Sequence, residues 1–473
     1  MTSHTNPESS EDDEELKRRM FLAGAGATGA AALAGCLGGS GSGDSTSGSS
    51  DSSKLKLLTT YTSSASKRSY KSANEAFKSS RENLEIEMGY TDWEKIYRRL
   101  VQAARTGNWP DLVFFLDNEL NLLLKDQDFI ENPKRLMDAA EESAGKISND
   151  VPETHYLDKD GSFYTMQSNS QSNTLWMRTD VLEAIDEEYP ESWNDELRVL
   201  KKAHESDKFP NLAGTAISTA KNAYMATIFF TRLRGAGGNA LDPEKNVAFD
   251  SQVTRDTLEH WNALAEYGAP GKESFSYGDI YTNFAADKVA TCQYWGRTFI
   301  NVVEQTPDIA DKVTTISHPQ PDNDKASPDE KSLMSGDGGQ LIKKGKNQDG
   351  AVEWWKNYVK PEYFVDEFMK GTPGNTVPIY EGHQEAWDEF DVWSDYEHGK
   401  EIRDNLVEDT RVAHPKCRAG PEFEAFPEMA SMIKKPVMSG PGSNYFAGKI
   451  SVDEAAKEMA KKAEQEVANY GSN

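Results

Sequence analysis

The sequence predicts an α/β protein built around more than one core, and three observations carry that expectation. The chain has 473 residues, too many for one compact core and suited to two or three. Its first structured stretch alternates strand, helix, strand, helix, strand, the pattern of a layered α/β half. Hydrophobic residues make up 37% and aromatics 10%, enough to fill real cores and too much for a disordered chain.

The chain opens with a segment that is an address rather than structure. Arg18 and Arg19 precede Met20-Phe21-Leu22, and a mild Ala/Gly stretch ends at Leu33-Ala34-Gly35-Cys36. That is a charged region, a short apolar region and a small-residue cleavage zone. At 15 residues, Met20–Ala34 is short for a bilayer about 30 Å thick. Twin arginines before a weakly apolar, Gly-rich stretch resemble a twin-arginine export signal, as in haloarchaeal exported lipoproteins. The four residues ending at Cys36 resemble a lipobox, which makes Cys36 the expected lipid-modified first residue of the mature chain. Gly24-Ala25-Gly26-Ala27-Thr28-Gly29 spells a dinucleotide fingerprint, but no strand precedes it and no βαβ unit surrounds it. Residues 37–53 are nearly all Gly, Ser, Asp and Thr and read as a tether with a reach of roughly 23 Å.

The folded part follows. Lys54–Tyr61 reads as a strand running into a Thr/Ser loop. Ser66–Arg81 is a helix with Tyr70, Ala73 and Phe77 on one face, and Leu84–Met88 alternates as a strand. Thr91 with Glu94 forms a capping-box pattern. Behind it Trp93, Ile96, Tyr97, Leu100 and Ala104 recur at helical spacing. Trp109-Pro110-Asp111 leads into Leu112–Leu116, apolar on both faces like a buried parallel strand. Gly161–Met166 reads as a strand, and Gln167–Asn173 as a polar run suited to a crossover or a cleft wall. Helices are expected at 180–185, 223–233, 256–267, 351–359 and 452–467, with strands at 288–294 and 333–342. Residues 319–332 read as a surface loop.

These landmarks, in this order, resemble the extracellular solute-binding proteins that feed ABC importers, in the carbohydrate-binding group that includes maltose-binding protein. The resemblance runs from about residue 54 to the end. It rests on Leu57–Ser64, Gly107-Asn108-Trp109-Pro110-Asp111, Gly161-Ser162-Phe163-Tyr164, Leu175–Leu182, Trp193–Leu197, Tyr294-Trp295-Gly296, Gly338-Gly339 and Ser451–Ala455. The acidic 361–445 region does not align well. The resemblance implies two lobes with a ligand cleft between them, closing by hinge bending. It places residues 54–166 and about 319–375 in one lobe, and 167–318 and about 376–473 in the other. It implies a small-molecule solute, most often a sugar, and as partners a membrane permease with its ATPase. With the signal, it puts the protein on the outer face of the cytoplasmic membrane, held by a lipid anchor.

A sugar site needs planar polar groups and an aromatic platform. The resemblance nominates Tyr61, Thr62 and Ser63 after the first strand, Asp117 and Asn118 after the buried strand, and Asn169 and Gln171 in the polar run. It nominates Trp295 as the stacking ring; Arg297 after Gly296 and Asp337 between glycines, where backbone can approach a ligand, are candidates from their own context. Asn375 is a further candidate, while Trp93, Trp354 and Trp355 read as core.

Composition excludes other classes. A net charge of −26 repels nucleic acid and anionic lipid headgroups, so neither is an expected partner. Its spread along the chain points to adaptation to high salt, where screening weakens like-charge repulsion. No metalloprotease, P-loop or nucleophile-elbow pattern occurs in the folded part. The eight histidines are scattered, so no metal, cofactor or catalytic residue is expected. A lipid-anchored glycoside hydrolase and a surface scaffold are the alternatives. Cys292 and Cys417 either pair or stay as separate buried thiols.

Overall fold

The computed structural model describes residues 53–471 apart from 82, 159, 323–332, 335 and 416–425. Arg18, Arg19, Cys36, residues 37–52 of the tether and Cys417 lie outside the described residues. Cys292 is a buried, free thiol.

The expected βαβαβ opening is present. Strand β1 (Lys54–Thr59) leads to the helix Ser64–Ser79, then β2 (Glu85–Tyr90), the helix Ile96–Thr106 and β3 (Leu112–Asp117). Strands β2 and β3 both pair with β1 in parallel. Gly107 stops the second helix with φ of +67°, which a residue without a Cβ adopts cheaply.

The next strand departs from expectation. Strand β4 is Met166–Asn169, not Gly161–Met166. Polar Gln167, Ser168 and Asn169 are fully buried in it, because the neighbouring strand supplies backbone partners that satisfy a buried polar segment. Only residues 170–172 then cross to β5 (Asn173–Arg178). After β6 (Ala213–Ala216), β7 (Val289–Trp295) and β8 (Val313–Ile316), a second sheet is complete, ordered β6-β7-β5-β8. The chain crosses back, passing the short β9 (Leu333–Met334), and places β10 (Asp337–Leu341) antiparallel between β3 and β4. The first sheet thus reads β2-β1-β3-β10-β4. The two-residue β11 (His414–Pro415) pairs with β9.

The late chain also differs from expectation. Val377 bridges to Ser170 and Tyr380 to Ile147, and the helix Glu381–Asp388 packs on Lys134–Ala144. Residues 376–388 therefore sit with the first sheet rather than the second. The helix Gly399–Val412 packs on β8 of the second sheet, so the chain changes sides again between them. The closing helix Val452–Gly471 packs on Gln252–Glu266. Trp354, Trp355 and Tyr358 are fully buried against Phe114, as the expected core of the first lobe.

Candidate functional site

Strand β10 sits where the two sheets approach each other, and its sequence explains the local shape. Gly338 and Gly339 lie between β3 and β4. A Cβ on Gly338 would stand 1.9 Å from the Thr165 hydroxyl, and one on Gly339 2.6 Å from the Met166 methyl. Only glycine permits the strands to close this tightly. The pairing slips on both sides: Phe115 is skipped opposite Gly338/Gly339, and Ser168 opposite Asp337/Gly338. These bulges re-aim the ends of β3 and β4. Phe115 carries φ of +59°, a strained value for an aromatic residue.

Asp337 is the residue so positioned. It is 7% exposed, opposite Asp117 and Asn169 in the sheet. The Tyr61 hydroxyl donates to its Oδ2 at 2.6 Å, and Gln171 Nε2 donates to the same oxygen at 2.5 Å. Gln171 Nε2 also reaches the Tyr61 oxygen at 2.6 Å, and Asn375 Nδ2 reaches it at 3.2 Å. Four side chains from distant parts of the sequence meet in one cluster. Burial pushes the Asp337 carboxyl up to about 7; the charge of Asp117 adds to this, and hydrogen bonds from Tyr61, Gln171 and Asn169 partly offset it. The Tyr61 ring is fixed by edge-on contacts with Phe115 and Phe368 at 4.8 and 5.4 Å.

An aromatic group flanks this cluster. Trp295 ends β7 opposite Asn173, two residues beyond Gln171. Its ring lies 5.7 Å from Tyr277 and 5.2 Å from Tyr294. Tyr277 in turn meets Trp93 of the first lobe at 5.8 Å. Trp93 is therefore half-buried between lobes rather than in the core. Its helical spacing with Ile96 and Leu100 conceals this, because Trp93 lies in a 3-10 turn, Trp93–Lys95, that precedes the helix and does not continue its core face. At the same junction Gly296 touches Gly374: a Cβ on Gly296 would fall 1.8 Å from the Gly374 carbonyl oxygen.

Several other nominated residues bond within the scaffold. Asp117 accepts from the Leu120 amide at 2.7 Å as a helix cap. Asn118 donates to the His155 carbonyl at 3.3 Å. Ser63 caps the helix Ser64–Ser79 through the Ser66 amide at 3.1 Å, and Thr62 is half-buried beside it. Asn169 donates to the Ser168 hydroxyl at 3.1 Å, while Ser168 donates to the Asp337 carbonyl at 2.6 Å. Arg297 is half-buried at the start of the helix Arg297–Gln305.

Buried polar atoms without hydrogen-bond partners collect at this junction: Asn169 Oδ1, the Ser170, Ser172 and Thr376 hydroxyls, and Trp295 Nε1. Such groups are normally satisfied, and a set of them in one place marks a site for a polar guest. Among the described residues no cluster of His, Cys, Asp and Glu could hold a metal, and no helix is long and apolar enough to cross a membrane. A surface hollow of about 580 Å³ is lined by Glu183, Asp186, Glu187, Glu188 and Tyr189 and shares no residue with the cluster.

Comparison with known proteins agrees with this architecture. The model of the bacterial extracellular solute-binding protein family matches residues 61–363. The chain is similar to a solved structure of maltose-bound MalE3 from Thermotoga maritima, at 16% identity, 87% of this chain, 99% of that one and a TM-score of 0.69. It is similar to an ABC transporter solute-binding protein from Agrobacterium vitis with bound D-mannitol, at 16% identity, 88% and 99% coverage and a TM-score of 0.69. It is also similar to a sugar transporter from Arthrobacter chlorophenolicus with bound laminaribiose, at 13% identity, 87% and 98% coverage and a TM-score of 0.70. No curated protein sequence matches.

Proposed function

Because this chain belongs to the bacterial extracellular solute-binding proteins, we propose that it captures a sugar or polyol between its two lobes and delivers it to the permease of an ABC importer. The observation that carries the reading is the meeting of Tyr61, Gln171, Asp337 and Asn375 at the junction of the sheets. Planar amides, a carboxyl and a phenol can exchange hydrogen bonds with ligand hydroxyls, and Trp295, Tyr277 and Trp93 offer faces to a sugar ring. The unsatisfied polar atoms beside them supply further donors and acceptors. Solved relatives carry maltose, D-mannitol and laminaribiose, a polyhydroxylated set that this chemistry suits.

Selectivity follows from the same groups, because a ligand lacking a hydroxyl leaves a buried partner unpaired. The lobes close by bending at crossings that include residues 170–172 and 389–398. Lobe 1 then comprises residues 54–169 and 337–388, and lobe 2 residues 173–316, 399–412 and 437–471, while the helix Pro427–Lys434 packs on both Asn118–Asp126 and Val452–Gly471. Arg18, Arg19 and Cys36 export the chain and tether it to the outer face of the membrane, and the acidic surface suits high salt.

A thermal-shift screen of the purified protein against sugars and polyols tests the reading. A ligand bound only by the folded state adds about 2.7 kcal/mol at a hundredfold excess over its Kd. A saturable shift that Trp295→Ala abolishes is the expected result. Absence of a shift with every sugar and polyol, in low and high salt, would reject it.

A further inference from the structure

Arg297 differs from most of the buried and half-buried arginines among the described residues. The chain holds 78 acidic and 52 basic residues, so an arginine readily finds a carboxylate. Buried Arg178 binds Asp180 at 2.7 Å, and buried Arg232 binds Glu196 at 2.7 Å. Arg255 binds Asp250 at 2.5 Å, and Arg403 binds Asp404 at 2.6 Å. Arg297 is half-buried and forms no ion pair among the described residues. Arg411 also has unbonded guanidinium nitrogens, but it adjoins the undescribed residues 416–425. Local structure does not favour a cation at Arg297. It occupies the first turn of a helix, where positive charge opposes the backbone dipole.

Its place supplies a reason. Gly296, immediately before it, abuts Gly374, and Asn375, immediately after Gly374, bonds the Tyr61 hydroxyl. The guanidinium thus flanks the polar cluster, and its charge opposes the upward shift that burial imposes on the Tyr61 and Tyr294 hydroxyls. Two residues away, the Trp295 indole N–H is buried without an acceptor, in a residue 8% exposed. A cation without an ion pair and an unused donor lie close in sequence beside the polar cluster.

We infer that the solute is a sugar acid, a polyhydroxylated molecule with one carboxylate that Arg297 holds. The inference rests on the solute-binding reading above and narrows its ligand class. A guanidinium matches a carboxylate in a two-pronged geometry. One negative charge balances one cation. A phosphate would bring nearly two negative charges beside buried Asp337 and Asp117, more than the single charge of Arg297 offsets.

The test is calorimetric titration of the full-length protein with D-glucuronate, D-galacturonate, D-glucose, D-galactose and D-glucose 6-phosphate, at low and high salt. One uronate binds about tenfold or more tighter than its neutral counterpart, as a charge-assisted bidentate contact provides. Added salt narrows the preference. Arg297→Gln removes it by weakening uronate binding far more than neutral-sugar binding, and Arg297→Lys restores part of it; melting curves and near-ultraviolet circular dichroism verify that both variants fold. A neutral sugar bound as tightly as its uronate, or equal weakening of both by Arg297→Gln, overturns the sugar acid and leaves solute capture standing. Tightest binding of the phosphate overturns the carboxylate. If none of the five binds in either salt, the saccharide reading of the site falls with the inference.

Discussion

Glu196 in the second lobe and Asp337 at the junction between lobes are both buried carboxyls, 3% and 7% exposed, and they are handled in opposite ways. Both oxygens of Glu196 are met by Arg232 at 2.7 Å, and His260 approaches at 3.3 Å while stacked on Trp193. Burial alone would raise its pKa, but Arg232 and the hydrogen bonds from His260 and Arg232 hold it well below the usual carboxylate range. Arg232 also binds Gln293 at 3.0 Å, and Gln293 binds Asn173 at 2.7 Å. The network therefore runs from a helix to the first residue after a crossing. Asp337 has hydrogen-bond donors but, among the described residues, no cation on its carboxylate, and its pKa is pushed up to about 7. A buried charge fully matched by protein groups fixes a scaffold. One matched only by neutral donors keeps capacity for something else.

Several substitutions would break or sharpen that contrast. The largest effect is expected at the matched pair. Arg232→Met leaves Glu196 buried without its cation and should cost about 3–5 kcal/mol, seen as a lower midpoint in urea unfolding. A loss under about 1 kcal/mol would show that Glu196 needs no partner there.

At Asp337 the sign reverses. Its folded pKa of about 7 lies above the ordinary carboxylate value of 3.8, so the folded state holds the proton more tightly than the unfolded one. Its destabilising contribution is absent below pH 3.8, grows as pH rises towards 7 and is complete above it. Asp337→Asn should therefore stabilise the ligand-free protein by about 2 kcal/mol at pH 8, roughly half of what the whole shift would give at 1.36 kcal/mol per unit. At pH 4 it should change little. Buried His318 and His383, held down to about 3 and about 4, oppose this trend by weakening the fold as pH falls below 6.5. They do so equally in both proteins, so the difference in melting temperature isolates Asp337. Equal stabilisation at both pH values would refute the assignment.

A smaller effect is expected where the lobes touch. Gly296→Ala puts a methyl group into the Gly374 carbonyl. It should leave each lobe folded but hold the lobes apart, weakening solute binding about tenfold, or 1.4 kcal/mol. Small-angle scattering with saturating ligand would show a radius of gyration larger than that of the wild type. The smallest effect concerns the surface. Screening of a net charge of −26 should raise the melting temperature with added potassium chloride, and a melt insensitive to salt would remove the argument for a saline habitat.

Much of this was legible in the sequence, for identifiable reasons. The opening βαβαβ unit follows from local periodicity, because alternation and helical spacing depend only on neighbouring residues. The resemblance nominates Tyr61, Gln171 and Trp295, flanking glycines nominate Asp337, and Tyr61, Gln171 and Asp337 meet directly. The strand at 166–169 was misplaced because polar residues rarely fill a buried strand, and nothing local reveals that Gly338 and Gly339 will come alongside. Trp93 was read as core because its spacing matched a helix face, whereas its true neighbour, Tyr277, lies far along the chain and in the other lobe.

The sequence by itself determined the class of fold, the order of its elements and the chemical kinds of residue available to a site, since these are set by composition and short-range pattern. Only the tertiary structure decided which of those residues meet, which are used up as helix caps, and that one buried carboxyl has a cation while another has none. Pairing across hundreds of residues depends on strand order, bulges and the approach of two lobes. No short-range pattern encodes those, because each is fixed by backbone packing between segments that are neighbours only in space.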